Sequence, residues 1–244
     1  VVLSARIHQA LFQTELGQIE ESEAISRECL NGLIEFGMKE ELCECMNNLG
    51  VNASFRGEYE ESCDWLEKAV LLGKECDYLV WYTCLLWLGH TYFLLGEYEQ
   101  GVLTLQKSIE LFERLGTHWG IAFGLSKMGL ALDGMGEHAR ALQAHRDALA
   151  IFNRINNAAG QGFALSRMCM SAALLGEYQL AVEYGLQACQ FCEKIGHQWV
   201  ICSTRCRLIF AYIGLRDIEK AKQYVASALE QSGREQMLPL ILYA

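Results

Sequence analysis

The chain has 244 residues, of which 52% are hydrophobic, with 22 Gly and a single Pro, a composition that suits short-turned helices and argues against low-complexity tracts, disordered linkers or a strand-rich fold. No apolar run approaches the ~18 uncharged residues of a membrane span, and the first residues lack the basic stretch and apolar core of a secretory signal, so a cytoplasmic protein without a membrane partner is expected. The formal charge of −10 is uneven: residues 1–77 hold 16 acidic and 6 basic side chains and residues 78–244 hold 14 of each, which opposes nucleic-acid binding along the first third.

The elements recur. Aligned on one turn position, copies of a Gly-x-Tyr-like motif start at Gly17, Gly57, Gly96, Gly136, Gly176 and Arg216, in steps of 40, 39, 40, 40 and 40 residues. A period of this size marks a helical repeat array, in which each unit packs on its neighbours and no single central core is required. In the best-defined unit, Trp81, Leu85, Leu88, Tyr92 and Leu95 form one helical stripe, Gly96 ends that helix in a left-handed conformation, and Tyr98, Val102, Leu105, Ile109 and Phe112 form a second stripe. The same reading gives units at 1–38, 39–77, 78–117, 118–157, 158–197 and 198–236, then a partial helix at 237–244. A chain that opens on Val1 and closes in an apolar half-unit reads as a fragment of a longer protein, with exposed ends at 1–3 and 237–244 suited to end-to-end self-association.

Small residues return at fixed register. Ala10, Gly50, Gly89, Gly129 and Cys169 occupy one slot of the first helices, and Ile209 breaks the series. Glycine costs about 1 kcal/mol relative to alanine inside a helix, so its recurrence at one position signals close approach of a neighbour.

At these positions the chain resembles the tetratricopeptide repeat: Leu88, Gly89, Tyr92, Gly96 and Tyr98 match in one unit, Leu49, Gly50, Gly57, Tyr59 and Ala69 in another, and Gly129, Gly136, Ala141 and Ala148 in a third. His138 and Ile218 replace the turn tyrosine, and the usual proline after the second helix is missing. Together with the 40-residue period, this is similar to the longer-helix subtype found in sensor arrays of large bacterial regulators and in Leu-Gly-Asn scaffold repeats. The resemblance implies an all-α, right-handed α-solenoid whose first helices line a concave groove. It implies a peptide or protein segment as partner, or a small anionic ligand controlling a linked nucleotide-binding switch.

Two slots before the Leu-Gly position would face that groove. They hold Asn47 and Asn48, then Leu86 and Trp87, Ser126 and Lys127, Ser166 and Arg167, and Cys206 and Arg207. Lys127, Arg167 and Arg207 lie 40 residues apart, so on neighbouring helices they form a cationic ladder that either takes an anion or pairs internally with acids such as Asp133 or Glu137. Phe123, Phe163 and Met170 add an apolar patch beside it, or simply pack.

Cys189 and Cys192 face Cys202 and Cys206 in sequence, but thiols inside helices are more readily packing residues than metal ligands, and the 11 cysteines read as reduced. No phosphate loop, HExxH or GxSxG motif is present. The reading therefore assigns no catalytic residue, no cofactor and no metal.

Overall fold

The computed structural model describes residues 2–76 and 78–235, and every regular element within them is an α-helix. The partial helix expected at 237–244 lies outside the described residues. The helices are α1 (Val2–Glu15), α2 (Ile19–Glu35), α3 (Lys39–Arg56), α4 (Tyr59–Gly73), α5 (Tyr78–Leu94), α6 (Tyr98–Leu115), α7 (His118–Gly134), α8 (His138–Arg154), α9 (Ala158–Leu174), α10 (Tyr178–Ile195), α11 (Gln198–Gly214) and α12 (Ile218–Glu235). No described helix is long and apolar enough to cross a membrane.

Within each pair, the turn is set by a left-handed residue at the motif glycine. Gly96 takes φ +81°, with its N–H bonded to the Phe93 carbonyl and the Glu97 N–H to the Tyr92 carbonyl. This closes the free carbonyls of α5. At the sixth turn Arg216 adopts the same conformation at φ +60°, and Arg216 and Asp217 donate to the Ile213 and Tyr212 carbonyls. The hydrogen-bond pattern thus persists where the glycine has been lost, at the cost of placing a Cβ in the left-handed region.

The helices group into two compact units, residues 1–120 and 121–244. In the first, α3 contacts both α1 and α5, and α2, α4 and α6 pack against these helices. The recurring small slot explains how closely they approach: a Cβ on Gly50 would lie 2.6 Å from Leu66 Cγ, and one on Gly89 2.6 Å from Leu105 Cγ. Ile7, Ile25, Leu33 and Leu49 fill one core, and Leu66, Leu88 and Tyr92 another.

In the second unit α9 packs on both α10 and α11. Here the slots have been exchanged. Gly129 faces His145, whose Cε1 would lie 2.5 Å from an added Cβ, in place of the Leu66 and Leu105 of earlier pairs. In the next pair the larger Cys169 sits on the first helix and Gly185 on the second, and a Cβ there would meet Leu208 at 2.5 Å and Cys169 Sγ at 3.0 Å. Size moves between facing positions while the interhelical space stays filled.

Candidate functional site

The sequence reading placed Asn47, Asn48, Trp87, Ser126, Lys127, Ser166, Arg167 and Arg207 on an open wall. The structure divides them. Asn48 is 1% exposed and its amide donates to Ser22 Oγ at 2.8 Å and Ser26 Oγ at 3.0 Å, while Thr14 Oγ1 lies 2.8 Å from its Oδ1. Asn52 joins this network, donating to Ser22 Oγ at 2.9 Å. Asn48 is therefore an interior residue tying α3 to α1 and α2, and Asn47 beside it is also buried. Trp87 is half-buried, edge-on to Phe55 at 6.2 Å, and Phe55 is itself exposed.

The basic ladder lies wholly in the second unit, on α7, α9 and α11. Lys127 and Arg167 are half-buried, whereas Arg207 is only 2% exposed. This corrects the expectation of three residues on one open surface. Burial at the register position two before the small slot varies from repeat to repeat: Asn48 and Arg207 are enclosed there, whereas Trp87, Lys127 and Arg167 are half-buried. Arg207 Nη1 reaches back across the seam between α11 and α9 to Ser166 Oγ on α9 at 3.2 Å, and Thr204 donates to the same oxygen at 2.7 Å. Ser166 is 2% exposed, and its oxygen accepts both bonds. Ser126, its counterpart on α7, is half-buried.

Asp133 holds α7 to α9: its Oδ2 accepts from Ser171 Oγ at 2.6 Å, and its Oδ1 lies 3.0 Å from His138 Nδ1. Burial raises its pKa, opposed by the bonds from Ser171 and His138. Glu137, the other acid considered as a ladder partner, pairs with Arg140. Among the described residues no carboxylate lies within 4.0 Å of the Arg167 or Arg207 guanidinium, so neither forms a direct ion pair.

Burial and neighbouring like charge both act on these cations. Burial, followed by the Arg167 charge, pushes the Lys127 ammonium down to about 7. Burial, then the Arg207 charge, lowers Arg167, while Asp133 acts in the opposite direction. Burial lowers Arg207 as well. A guanidinium keeps its proton throughout the physiological range, so these shifts express the cost of enclosing like charges together. Beneath them His145 is 0% exposed, and burial, then Arg167 and Arg207, drives its imidazole down to about 3. Neither His145 nitrogen has a hydrogen-bond partner, and neither does the buried Arg207 Nε.

Phe123 and Phe163 are half-buried and serve packing as well as surface. Phe123 stands edge-on to Phe152 at 5.1 Å, and Phe163 packs on His197 at 5.2 Å and Trp199 at 5.5 Å. Met170 is half-buried on α9. Cys189 and Cys192 belong to two separate core clusters, and burial pushes their thiols up to about 12 and about 11, which keeps them protonated and poor as nucleophiles or ligands. Among the described residues no group of three His, Cys, Asp or Glu side chains gathers to hold a metal ion. An open cleft of about 570 Å³ lies among α10, α11 and α12, lined by Leu186, Arg205 and Tyr224 among others, and there Arg205 faces Glu193 at 3.6 Å.

His145, Asp133, Ser171 and Thr204 were not singled out as site residues. The signal that finds them is columnar: His145 stands where other repeats carry Ser26, Leu66, Leu105, Gly185 and Val225, and Asp133 where they carry Thr14, Ser54, Phe93, Ala173 and Ile213.

Paired helices repeated along the chain, each pair closed by a left-handed turn residue, define a helical repeat fold. Family models described as tetratricopeptide repeat match residues 42–75 and 82–154, so these stretches carry tetratricopeptide repeats. No curated protein matches it in sequence. Among solved structures it is similar to the apo form of RapI, with 15% identity and a TM-score of 0.80 over 97% of this chain and 85% of that one. It is likewise similar to NprR in complex with its cognate peptide NprX, at 15% identity and a TM-score of 0.77 over 99% and 70% of the two chains. A third similar structure is a signal-transduction ATPase with a tetratricopeptide repeat sensor from Pyrococcus horikoshii, at 15% identity and a TM-score of 0.74 over 94% of this chain and 35% of that one. At this level of identity the likeness establishes the fold.

Proposed function

We propose that this chain is a non-enzymatic recognition region that takes an extended peptide or a protein segment on its layer of odd helices, as the sensor or interaction part of a larger bacterial signalling or transcriptional regulator. The observation that carries the reading is the surface of the second unit. Half-buried Lys127 and Arg167 stand on the same helices as Phe123, Phe163 and Met170, so positive charge adjoins adaptable apolar surface. Such a combination suits an acidic segment carrying apolar side chains. In NprR the same fold is seen with a cognate peptide, and in the Pyrococcus horikoshii ATPase it is named a sensor, which supports the assignment by analogy of fold.

The test is selection of short peptides from a displayed random library on the chain, followed by hydrogen exchange of the complex. The reading requires protection concentrated on α7, α9 and α11, and loss of binding in Arg167→Glu. Protection confined to α8, α10 and α12, or peptides that bind Arg167→Glu as well as the parent, would sink it.

A further inference from the structure

The geometry points to a thiol–disulfide site inside the first unit, where Cys43 of α3 and Cys84 of α5 become joined by exchange with a small disulfide that enters through Cys76. Both residues of the pair are free thiols and 0% exposed, and their sulfurs stand 3.7 Å apart. They share an apolar cluster with Ala69, and Cys43 Sγ also donates to the Ala69 carbonyl at 3.2 Å. A disulfide holds its sulfurs about 2.05 Å apart, so the contact has about 1.7 Å left to close. Cysteine is an ordinary small core residue, and contact alone would say no more than that. Access is the second observation. Cys76 is half-buried, packs against the same cluster and follows the exposed Lys74 and Glu75. Just before them Gly73 covers the Cys43 sulfur with backbone alone, since a Cβ there would lie 3.2 Å from it.

The chemistry of the cluster selects oxidation over metal binding. Among the described residues no group of three His, Cys, Asp or Glu side chains gathers to hold an ion, and a metal would need both thiolates, whose charge an apolar interior penalises. A disulfide is neutral. The hydrogen bond with Cys43, then burial, holds the Cys84 thiol well above the usual thiol range, and burial holds Cys76 up too, so exchange is slow and its outcome is read at equilibrium. The Cys76 thiolate attacks a small disulfide RSSR: a sulfur–sulfur bond forms to one RS group, the RS–SR bond breaks, and the other RS group leaves and takes up the proton that Cys76 gave up. Cys43 then loses its proton and attacks the Cys76 sulfur, expelling the second RS group as RSH. Cys84 attacks the Cys43 sulfur in turn, and Cys76 leaves and takes up the Cys84 proton. Two thiols are oxidised, one RSSR is reduced to two RSH, and the Cys76 thiol is regenerated. The product ties two consecutive odd helices together and closes a loop that contains α4.

This site goes beyond the recognition reading and does not depend on it. The unaltered chain is equilibrated without oxygen in a series of oxidised and reduced glutathione mixtures, trapped by acid and alkylated, and its cross-linked peptides are mapped by mass spectrometry. Far-ultraviolet circular dichroism is recorded on the same samples. The site predicts one dominant cross-link, Cys43 to Cys84, formed with the helical signal intact and reversed by reduced glutathione. It also predicts a melting midpoint raised by roughly 5 °C or more on oxidation, because the closed loop constrains the unfolded chain. Cys84→Ala should lose that cross-link and stop at Cys76, as its glutathione adduct or its bond to Cys43. Cys76→Ser should reach the parent's end point about tenfold or more slowly, since the enclosed pair loses its accessible partner. This second variant leaves the sulfur contact untouched, so a folding fault in Cys84→Ala does not decide the question. No Cys43–Cys84 cross-link anywhere in the series, cross-links spread evenly among the 11 cysteines, or one that appears only as the helical signal is lost would overturn the site. An unchanged rate in Cys76→Ser would overturn entry through Cys76.

Discussion

Replacing His145 by leucine should make the protein more stable and flatten its response to acid. The imidazole occupies the register position of Leu66 and Leu105, is 0% exposed, lies against Gly129, and has no hydrogen-bond partner for either nitrogen. Its nearest acid, Asp133, stands 3.9 Å from Nε2 and is engaged by Ser171. Enclosing it costs the desolvation of an unpaired polar group, about 1–3 kcal/mol on mutational scales, and leucine of similar volume removes that cost. The pH term follows from the depressed pKa. In the folded chain His145 titrates at about 3, and in the unfolded chain near 6.5. A histidine depressed on folding contributes stability that is complete above the unfolded value and is lost as pH falls below it, because the unfolded chain takes up a proton that the folded one refuses. Between pH 7.5 and 5.0 this amounts to about 2 kcal/mol, from 0.59·ln[(1 + 10^1.5)/(1 + 10^−1)] with the folded-state factor near unity. The measurement is urea unfolding of parent and His145→Leu at those two pH values, followed by far-ultraviolet circular dichroism. The parent should lose about 2 kcal/mol more than the variant on acidification. Equal losses in both proteins would show that His145 is not held neutral, and a variant less stable than the parent at pH 7.5 would show that its nitrogens do find partners.

Three further outcomes test the packing. Asn48→Ala takes the Asn48 donor from buried Ser26 and leaves a void in the network, while Thr14 and Ser22 keep bonds to Ala10 and Asn52, so it should cost about 1–3 kcal/mol by denaturant unfolding, whereas an isolated surface amide would cost under ~0.5 kcal/mol. Gly89→Ala gains helix propensity of about 1 kcal/mol yet drives a methyl to within 2.6 Å of Leu105 Cγ, so a net loss of about 1–2 kcal/mol in the same assay is expected, and a gain would show that the helices can part freely. Arg216→Gly relieves a left-handed arginine at φ +60° and should raise stability by up to about 1 kcal/mol, read as a rise in melting midpoint.

Much of the helix pairing was legible because it rests on period and on steric necessity. Gly96 is followed by a turn residue and preceded by an apolar stripe, and both constraints act locally, so the left-handed conformation there could be read without coordinates. The close approach at Gly50, Gly89 and Gly129 was legible for the same reason, since only a neighbour explains a costly residue repeated at one register. Burial of the ladder was not. Whether a residue two places before the small slot faces solvent or the seam depends on how far consecutive odd helices are rotated, and the 40-residue period carries no information about that angle. Asn48 and Arg207 were therefore read as wall residues although both lie inside. His145 escaped because a single histidine on an apolar face reads as core, and core it is. Its neighbourhood becomes visible only when the column through Leu66 and Leu105 is compared with the column through Asp133.

The two units solve the same seam with opposite chemistry. In the first, Asn48 meets Thr14, Ser22 and Ser26 in a neutral network in which its amide bonds are made within the chain. A satisfied interior of this kind adds rigidity and asks nothing of a ligand. In the second, Arg207 replaces the amide, Gly185 has vacated the facing position, and the only carboxylate on the three odd helices is shared with other donors. Evolution of a purely structural seam would favour the first solution, since an enclosed cation without a counter-charge costs several kcal/mol that well-packed apolar residues would avoid. Arg207→Met should therefore leave the second unit as stable as the parent or more so by denaturant unfolding, in contrast to Asn48→Ala in the first, and a loss of several kcal/mol in Arg207→Met would show that the guanidinium charge is met within the chain.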